Sequence, residues 1–268
     1  MYSCLTESLF HTSFLAKKLK NHNLTWIVRN SRKLDCEELN EMHSTLSKKK
    51  FITKKDLNII EKSYHGLSEA EEYLALTYGV PELHPLKLAK FVTTIDFSDD
   101  FFSHCTKGVN AIDKSGAIIF LCVILEKKWI DFFEQKIVNA HPAVLPYARG
   151  MFAIEQFLVD HNQCQFEQAA GATIHYVDTG IDTGAIIEAA QLKRIWDLES
   201  IWAVKGESYL LAFELMKNYL TRERIFTLTD CNKTNKTVAS PLYFRRNFSS
   251  EVKKTSENKF RILKCNNA

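Results

Sequence analysis

Apolar positions follow two periods along this chain. Short continuous or alternating runs occur at Leu24–Val28, Gly116–Leu125, Lys136–Ala140, Ala172–Val177 and Ala185–Ala189. These are strand lengths, and a run without alternation, such as GAIIFLCVIL at 116–125, is the pattern of a strand buried on both faces of a parallel sheet. Between them lie helical stripes. Leu9, Phe10, Phe14, Leu15 and Leu19 share a face over Ser8–Leu19, as do Met151, Phe152, Ile154, Phe157 and Leu158 over Met151–Val159. Ser68 is placed to cap a helix over Glu69–Tyr78 that Gly79 stops. Further helices are expected over Asp96–Asn110, Glu126–Phe133 and Leu198–Leu220. Strands alternating with helices predict an α/β fold with a doubly wound, mostly parallel sheet. Its first strand has only Met1–Leu5 and is expected to be short or cut back.

Composition narrows the class without naming a chemistry. The 268 residues are 46% hydrophobic and 25% charged, as in an ordinary globular protein. The net charge of +3 is spread among acidic residues and does not argue for nucleic acid. Five lysines over Ser47–Lys55 read as a solvated face before they read as a patch for an anionic partner. Seven cysteines without a C-x-x-C pair suggest reduced thiols and a cytoplasmic setting. No basic-then-apolar leader is visible, and the longest apolar run is too short to span a bilayer.

Candidate chemistry concentrates between Lys136 and Ile187. KIVNAHPAVLPYARG begins as a strand, and Asn139 and His141, two apart, point to one side of it. Pro142 and Pro146 interrupt regular structure before Arg149-Gly150. GATIHYVDTGIDTGAII then runs a strand into a turn carrying Asp182. An amide, an imidazole and a carboxylate therefore sit at strand ends, where open parallel sheets handle ligands. Taken singly, Asn139 reads as a turn former, His141 as structural and Asp182 as a turn carboxylate. Together and in this order, N-x-H-P-x-x-L-P-x-x-R-G and G-x-T-x-H-x-V-x-x-x-I-D-T-G-x-I-I resemble the folate-dependent formyltransferases over roughly Gly116–Gln191.

The resemblance implies a Rossmann-like catalytic domain over residues 1–220 with a short C-terminal extension over 221–268. It implies transfer of a formyl group from 10-formyltetrahydrofolate to a primary amine. Asn139 would be the oxyanion donor, His141 the general acid/base and Asp182 the group that holds His141 or a water. Arg149 and Gly150 would lie near the acceptor. The pterin would meet Val177, Thr179, Gly180 and Ile181, with Leu121, Val123 and Leu125 as the opposite wall. His175 matches a family histidine, and equally reads as a hydrogen-bonded core residue. Small-molecule substrates are the expected partners, with no nucleic acid or membrane, and the basic tail Pro241–Cys265 suits either a sheet edge or a homodimer contact. Ala143-Val144 and Tyr147-Ala148 depart from the family wording, and Thr6-Glu7-Ser8 lacks the glycine of its first turn. These departures bear on the acceptor. A nucleotide-linked amino deoxysugar is preferred over glycinamide ribonucleotide, and methionyl-tRNA is disfavoured. Rival readings are a folate-binding protein without turnover and a metal hydrolase using His141, His175 and Asp182, although these lack close ligand spacing.

Overall fold

A computed structural model describes residues 1–109, 111–221 and 241–267. The chain forms two compact units, Met1–Val138 and Asn139–Ala268.

In the first unit four parallel strands lie in the order β3-β2-β1-β4. They are β1 (Tyr2–Glu7), β2 (Leu24–Arg29), β3 (Ala89–Thr93) and β4 (Ala117–Phe120). The first strand is not cut back. Six residues long, it pairs with β2 on one side and β4 on the other, and Cys4 and Leu5 are fully buried. Helix α1 (Thr12–Leu19) makes the first crossover, so the βαβ expectation holds. The run 116–125 is a strand only over its first half. Beyond Phe120 the Cys122 N–H turns to the Glu7 carboxylate (3.3 Å) instead of a neighbouring strand, and Ile124 is exposed. Its apolar character reported burial of Leu125 as well as of the strand.

The charged stretch after β2 holds three helices, α2 (Cys36–Leu46), α3 (Lys54–Ser63) and α4 (Glu69–Tyr78). Thr53 and Ser68 head α3 and α4 with reciprocal capping boxes, in which the third helical residue, Asp56 or Glu71, accepts from the cap's own N–H. A short turn of helix, α5 (Pro85–Leu88), leads into β3. The helix expected over 96–110 is α6 (Asp99–Thr106), capped by Ser98; Asn110 lies outside the described residues. Helix α7 (Lys127–Phe132) follows β4.

Several polar side chains buried in this unit are paired with one another. His43 bonds the Pro81 carbonyl (2.6 Å) and the Tyr64 hydroxyl (2.7 Å), and Tyr64 meets Ser13 (2.9 Å). His84 bonds Asn40 (3.1 Å) and packs its ring 5.0 Å from that of His43. Burial pushes the imidazole of His43 down from 6.5 to about 4 and that of His84 to about 3. Both are neutral when folded and take a proton more readily when unfolded. The unfolded state therefore binds more protons below pH 6.5, and stability falls as the pH falls from there toward 3–4. Glu71 extends the loss. Burial alone would raise it, but His11 and the Ser68 cap hold it at about 2, so its contribution fades below 4.5. The urea midpoint should drop between pH 7 and 5, and His84→Gln should flatten that slope; a midpoint indifferent to pH over this range would count against the assignment.

The second unit opens inside β5 (Ile137–His141), and its strands run in the order β5-β7-β8, with β7 at Gly171–Tyr176 and β8 at Ile186–Gln191. Strand β8 is antiparallel to β7. Its helices are α8 (Ala153–Asp160), α9 (Gln163–Ala169), α10 (Ile201–Thr221) and α11 (Ser250–Asn266). Helix α9 has no counterpart among the sequence expectations. It is brief, and it is started by an Asn162–Gln165 capping box rather than by a long apolar stripe. Two-residue strands β6 (Arg149–Gly150) and β9 (Leu242–Tyr243) form a separate parallel pair. Phe260 of α11 enters the same apolar cluster as Ile154, Phe157, Phe166, Ile201 and Val204. The tail thus contributes core to this unit. The rest of the expected extension, residues 222–240, lies outside the described residues. Among the described residues no helix is long and apolar enough to cross a membrane.

Candidate active site

Strand β5 delivers Asn139 and His141, and the turn between β7 and β8 delivers Asp182. The period of two puts the first pair on one side, as expected. Asp182 faces them through an uncommon backbone. Its φ is +50°, in the left-handed region that a residue with a Cβ rarely adopts. The turn around it is closed by Asp178, which accepts from the Gly180 N–H (2.9 Å) and the Thr183 hydroxyl (2.6 Å). Gly184 has no substitute there, because a Cβ would lie 1.7 Å from the Tyr176 carbonyl oxygen.

The three side chains meet. Asp182 Oδ2 accepts the Gly150 N–H at 2.8 Å and lies 3.5 Å from His141 Nδ1. Asp182 Oδ1 receives a long bond from Asn139 Nδ2 (3.4 Å) and lies 3.4 Å from His175 Nε2. Asn139 Nδ2 is 3.1 Å from the same His175 nitrogen. Tautomers follow from the partners. His141 Nε2 is 2.9 Å from the Ala148 carbonyl and His175 Nδ1 is 2.8 Å from the Tyr176 carbonyl. A carbonyl only accepts, so those nitrogens carry the hydrogens in the neutral rings. His141 Nδ1 is then a bare lone pair facing Asp182, and His175 Nε2 accepts from Asn139.

Charge is set by burial and by these contacts. Burial pushes the His141 imidazole below its ordinary 6.5, against the pull of Asp182 and the Ala148 bond, and the charge on Lys205 pushes the same way as burial. Asp182 is opposite. Burial alone would raise it, but His141, the His175 contacts and the Gly150 N–H hold it well below the usual carboxylate range. The resting pair is a neutral imidazole beside a carboxylate. A proton arriving at Nδ1 would complete a charged hydrogen bond with Asp182, which is the arrangement of a poised general acid/base.

Other expected residues lie as follows. Arg149 and Gly150 form β6, and Gly150 contributes its N–H to Asp182. Val177, Thr179, Gly180 and Ile181 line the irregular segment after β7, with Thr179 and Gly180 exposed. Leu121, Val123 and Leu125 belong to the first unit, in the irregular segment after β4, with Leu125 buried. His175, read as equally a core residue, is buried and also bonded to Asn139; its i−36 separation from that partner hid the contact from any local pattern. Thr173 was not singled out. Its hydroxyl accepts the Leu145 N–H and donates to the Ala143 carbonyl, both at 2.9 Å, and so ties the proline loop to β7. Among the described residues no group of His, Cys, Asp and Glu is arranged to hold a metal ion.

At the end of β1, where the glycine is missing, Glu7 is buried and paired with Arg29 (3.1 Å), and Arg29 also meets Asp96 (2.8 Å). A carboxylate and its guanidinium fill that strand end.

Residues 115–199 match the formyl transferase family model. The trifunctional purine biosynthetic protein adenosine-3 of Drosophila pseudoobscura is 34% identical over 82 residues, which is 29% of this chain and 6% of that protein. The phosphoribosylglycinamide formyltransferase of Bacillus subtilis is 44% identical over 52 residues, 19% of this chain and 24% of the enzyme. The chain thus spans a small part of the curated relatives it matches. The fold is shared more widely. The N-formyltransferase of Helicobacter canadensis, solved with folinic acid and dTDP-3-aminofucose, superposes with a TM-score of 0.51 and 15% identity over 97% of this chain and 80% of that one. Residues 115–199, which hold the motifs in order, are thus similar to the formyl transferase family model, and the fold is similar to that of a solved N-formyltransferase along nearly the whole chain.

Proposed function

We propose that this protein is an N-formyltransferase that moves a formyl group from 10-formyltetrahydrofolate to the primary amine of a nucleotide-linked amino deoxysugar. One observation carries the reading: Asn139, His141 and Asp182, distant in sequence, converge with a protonation pattern suited to acyl transfer. In that reaction the bond from the formyl carbon to the folate nitrogen breaks and a bond to the acceptor nitrogen forms. The acceptor nitrogen gives up a proton and the folate nitrogen gains one. His141, neutral at rest, takes the first proton at Nδ1, and Asp182 stabilises the imidazolium until the proton is passed on. The Asn139 amide, which also donates to His175 Nε2 (3.1 Å), exchanges its longer 3.4 Å bond to Asp182 for one to the developing oxyanion. Val177, Thr179, Gly180 and Ile181 are assigned to the donor and Arg149 to the acceptor.

The sugar preference rests on the end of β1. A phosphate cradle needs free backbone N–H groups and no fixed negative charge. Here Glu7 accepts the Cys122 N–H and is locked by Arg29. The second reading is glycinamide ribonucleotide as acceptor, favoured by the 44% identity to the Bacillus enzyme over 52 residues. The test is formyl transfer from 10-formyltetrahydrofolate to a panel of nucleotide-linked 3-amino and 4-amino deoxysugars plus glycinamide ribonucleotide. Transfer to a sugar nucleotide is the expected result. Turnover of glycinamide ribonucleotide alone would replace the acceptor, and folate binding without transfer to any amine would leave a binding protein and withdraw the enzyme.

A further inference from the structure

We propose that the C-terminal segment Pro241–Phe248 is a positioning element of the active site, aiming the Gly150 N–H at the Asp182 carboxylate. The argument begins with alternation along an extended backbone, where successive N–H groups point to opposite sides. The N–H groups of Arg149 and Met151 donate to the carbonyls of Pro241 (3.2 Å) and Tyr243 (3.0 Å). The N–H between them, that of Gly150, is thereby turned away from the tail and toward Asp182 Oδ2, 2.8 Å off. Pairing on one side sets direction on the other.

Two further contacts hold the same loop to the same tail. The ring of Phe152, itself in the left-handed region at φ +52°, stacks on Phe248 with centroids 4.3 Å apart and planes 10° from parallel. Gln156 donates to the Met151 carbonyl (2.8 Å) and, less closely, to the Phe244 carbonyl (3.4 Å). Gly150 is fitted to this approach. Its φ is +92°, and a Cβ would lie 2.0 Å from the Tyr243 carbonyl oxygen. The tail is anchored behind: Phe248 packs edge-on to Trp202 of α10 (6.4 Å), and the Trp202 indole donates to Glu257 of α11 (2.9 Å). A segment more than 50 residues beyond the motif in sequence thus completes the motif's geometry.

Phe248→Ala in the full chain tests this, since Phe248 touches neither Asp182 nor His141 in the contacts described. Hydrogen exchange at the Gly150 amide should accelerate by about tenfold or more, while amides of β7 keep their protection. With the acceptor in hand, kcat should fall about tenfold with the KM for 10-formyltetrahydrofolate little changed, because a charge-assisted hydrogen bond to Asp182 is weakened rather than a donor contact. The acid limb of the rate profile should move up as Asp182 loses its N–H donor. Phe248→Tyr, which keeps the stack, should behave as wild type, and Phe248→Leu gives a graded change if the alanine variant does not fold. Unchanged Gly150 exchange overturns the proposal, and altered exchange with unchanged kcat overturns its catalytic consequence. The kinetic arm rests on the formyl-transfer reading and the exchange arm does not, so a protein that formylates no amine would still show whether the tail aims Gly150.

Discussion

Asp182→Asn should lower kcat for formyl transfer by about 10²–10⁴-fold, the range for losing a general acid/base partner. The substitution is nearly isosteric, so the Gly150 N–H retains an acceptor and the turn closed by Asp178 is untouched. What disappears is the negative charge 3.5 Å from His141 Nδ1. In the resting state two acceptors face each other across that gap, and in the proposed mechanism the carboxylate gains its value only once the imidazole is protonated. Loss of charge should therefore appear in kcat more than in the KM of either substrate. The variant also removes a term from the stability profile. The carboxylate is held below its ordinary 3.8 in the folded chain, so it contributes stability above that pH and loses it as the pH falls through the lower folded value. Asp182→Asn should flatten the acid end of the unfolding curve below 3.8. Near-normal turnover in a folded Asp182→Asn protein would remove Asp182 from the mechanism.

His141→Ala should abolish a comparable share of the rate, about 10²–10⁴-fold, and in addition destabilise the second unit. The imidazole is 4% exposed and donates to the Ala148 carbonyl, so deleting it leaves a buried acceptor unpaired, at a cost of about 1–3 kcal/mol. The two losses separate in His141→Gln. That side chain can offer a donor to Ala148 but cannot take a proton, so it should recover much of the stability and little of the rate. In the proposed mechanism the neutral imidazole is the working form, and burial holds its pKa under 6.5, so the acid limb of kcat should lie below that value. Stability follows the same sign: the unfolded chain protonates first, and the folded state loses ground as the pH drops under 6.5. A glutamine variant as active as wild type would sink the proton-transfer role.

What the sequence by itself determined is the local part. The placement of Asn139 and His141 on one side of a strand follows from a period of two. The turn at Asp182 follows from Asp, Thr and Gly in close succession. The caps at Thr53 and Ser68 follow from a hydroxyl followed by a carboxylate three residues on. The mostly parallel α/β order follows from strand-length apolar runs alternating with helical stripes. Each depends on residues within a few positions of one another, where side-chain chemistry and backbone period act directly.

Tertiary structure decided the rest. Apolar patterning records which side of a segment is buried but not against what, so it could not give β8 its antiparallel direction, end β4 at Phe120, or show that β1 is a full central strand. It could not tell whether His175 was a core residue or a partner of Asn139, because that bond spans 36 positions. Nor could it bring the Gly150 N–H to Asp182 or the tail carbonyls to the N–H groups flanking it. These are backbone groups that every residue carries. Their partners are chosen only when distant segments pack, and no side-chain identity along the chain announces the choice.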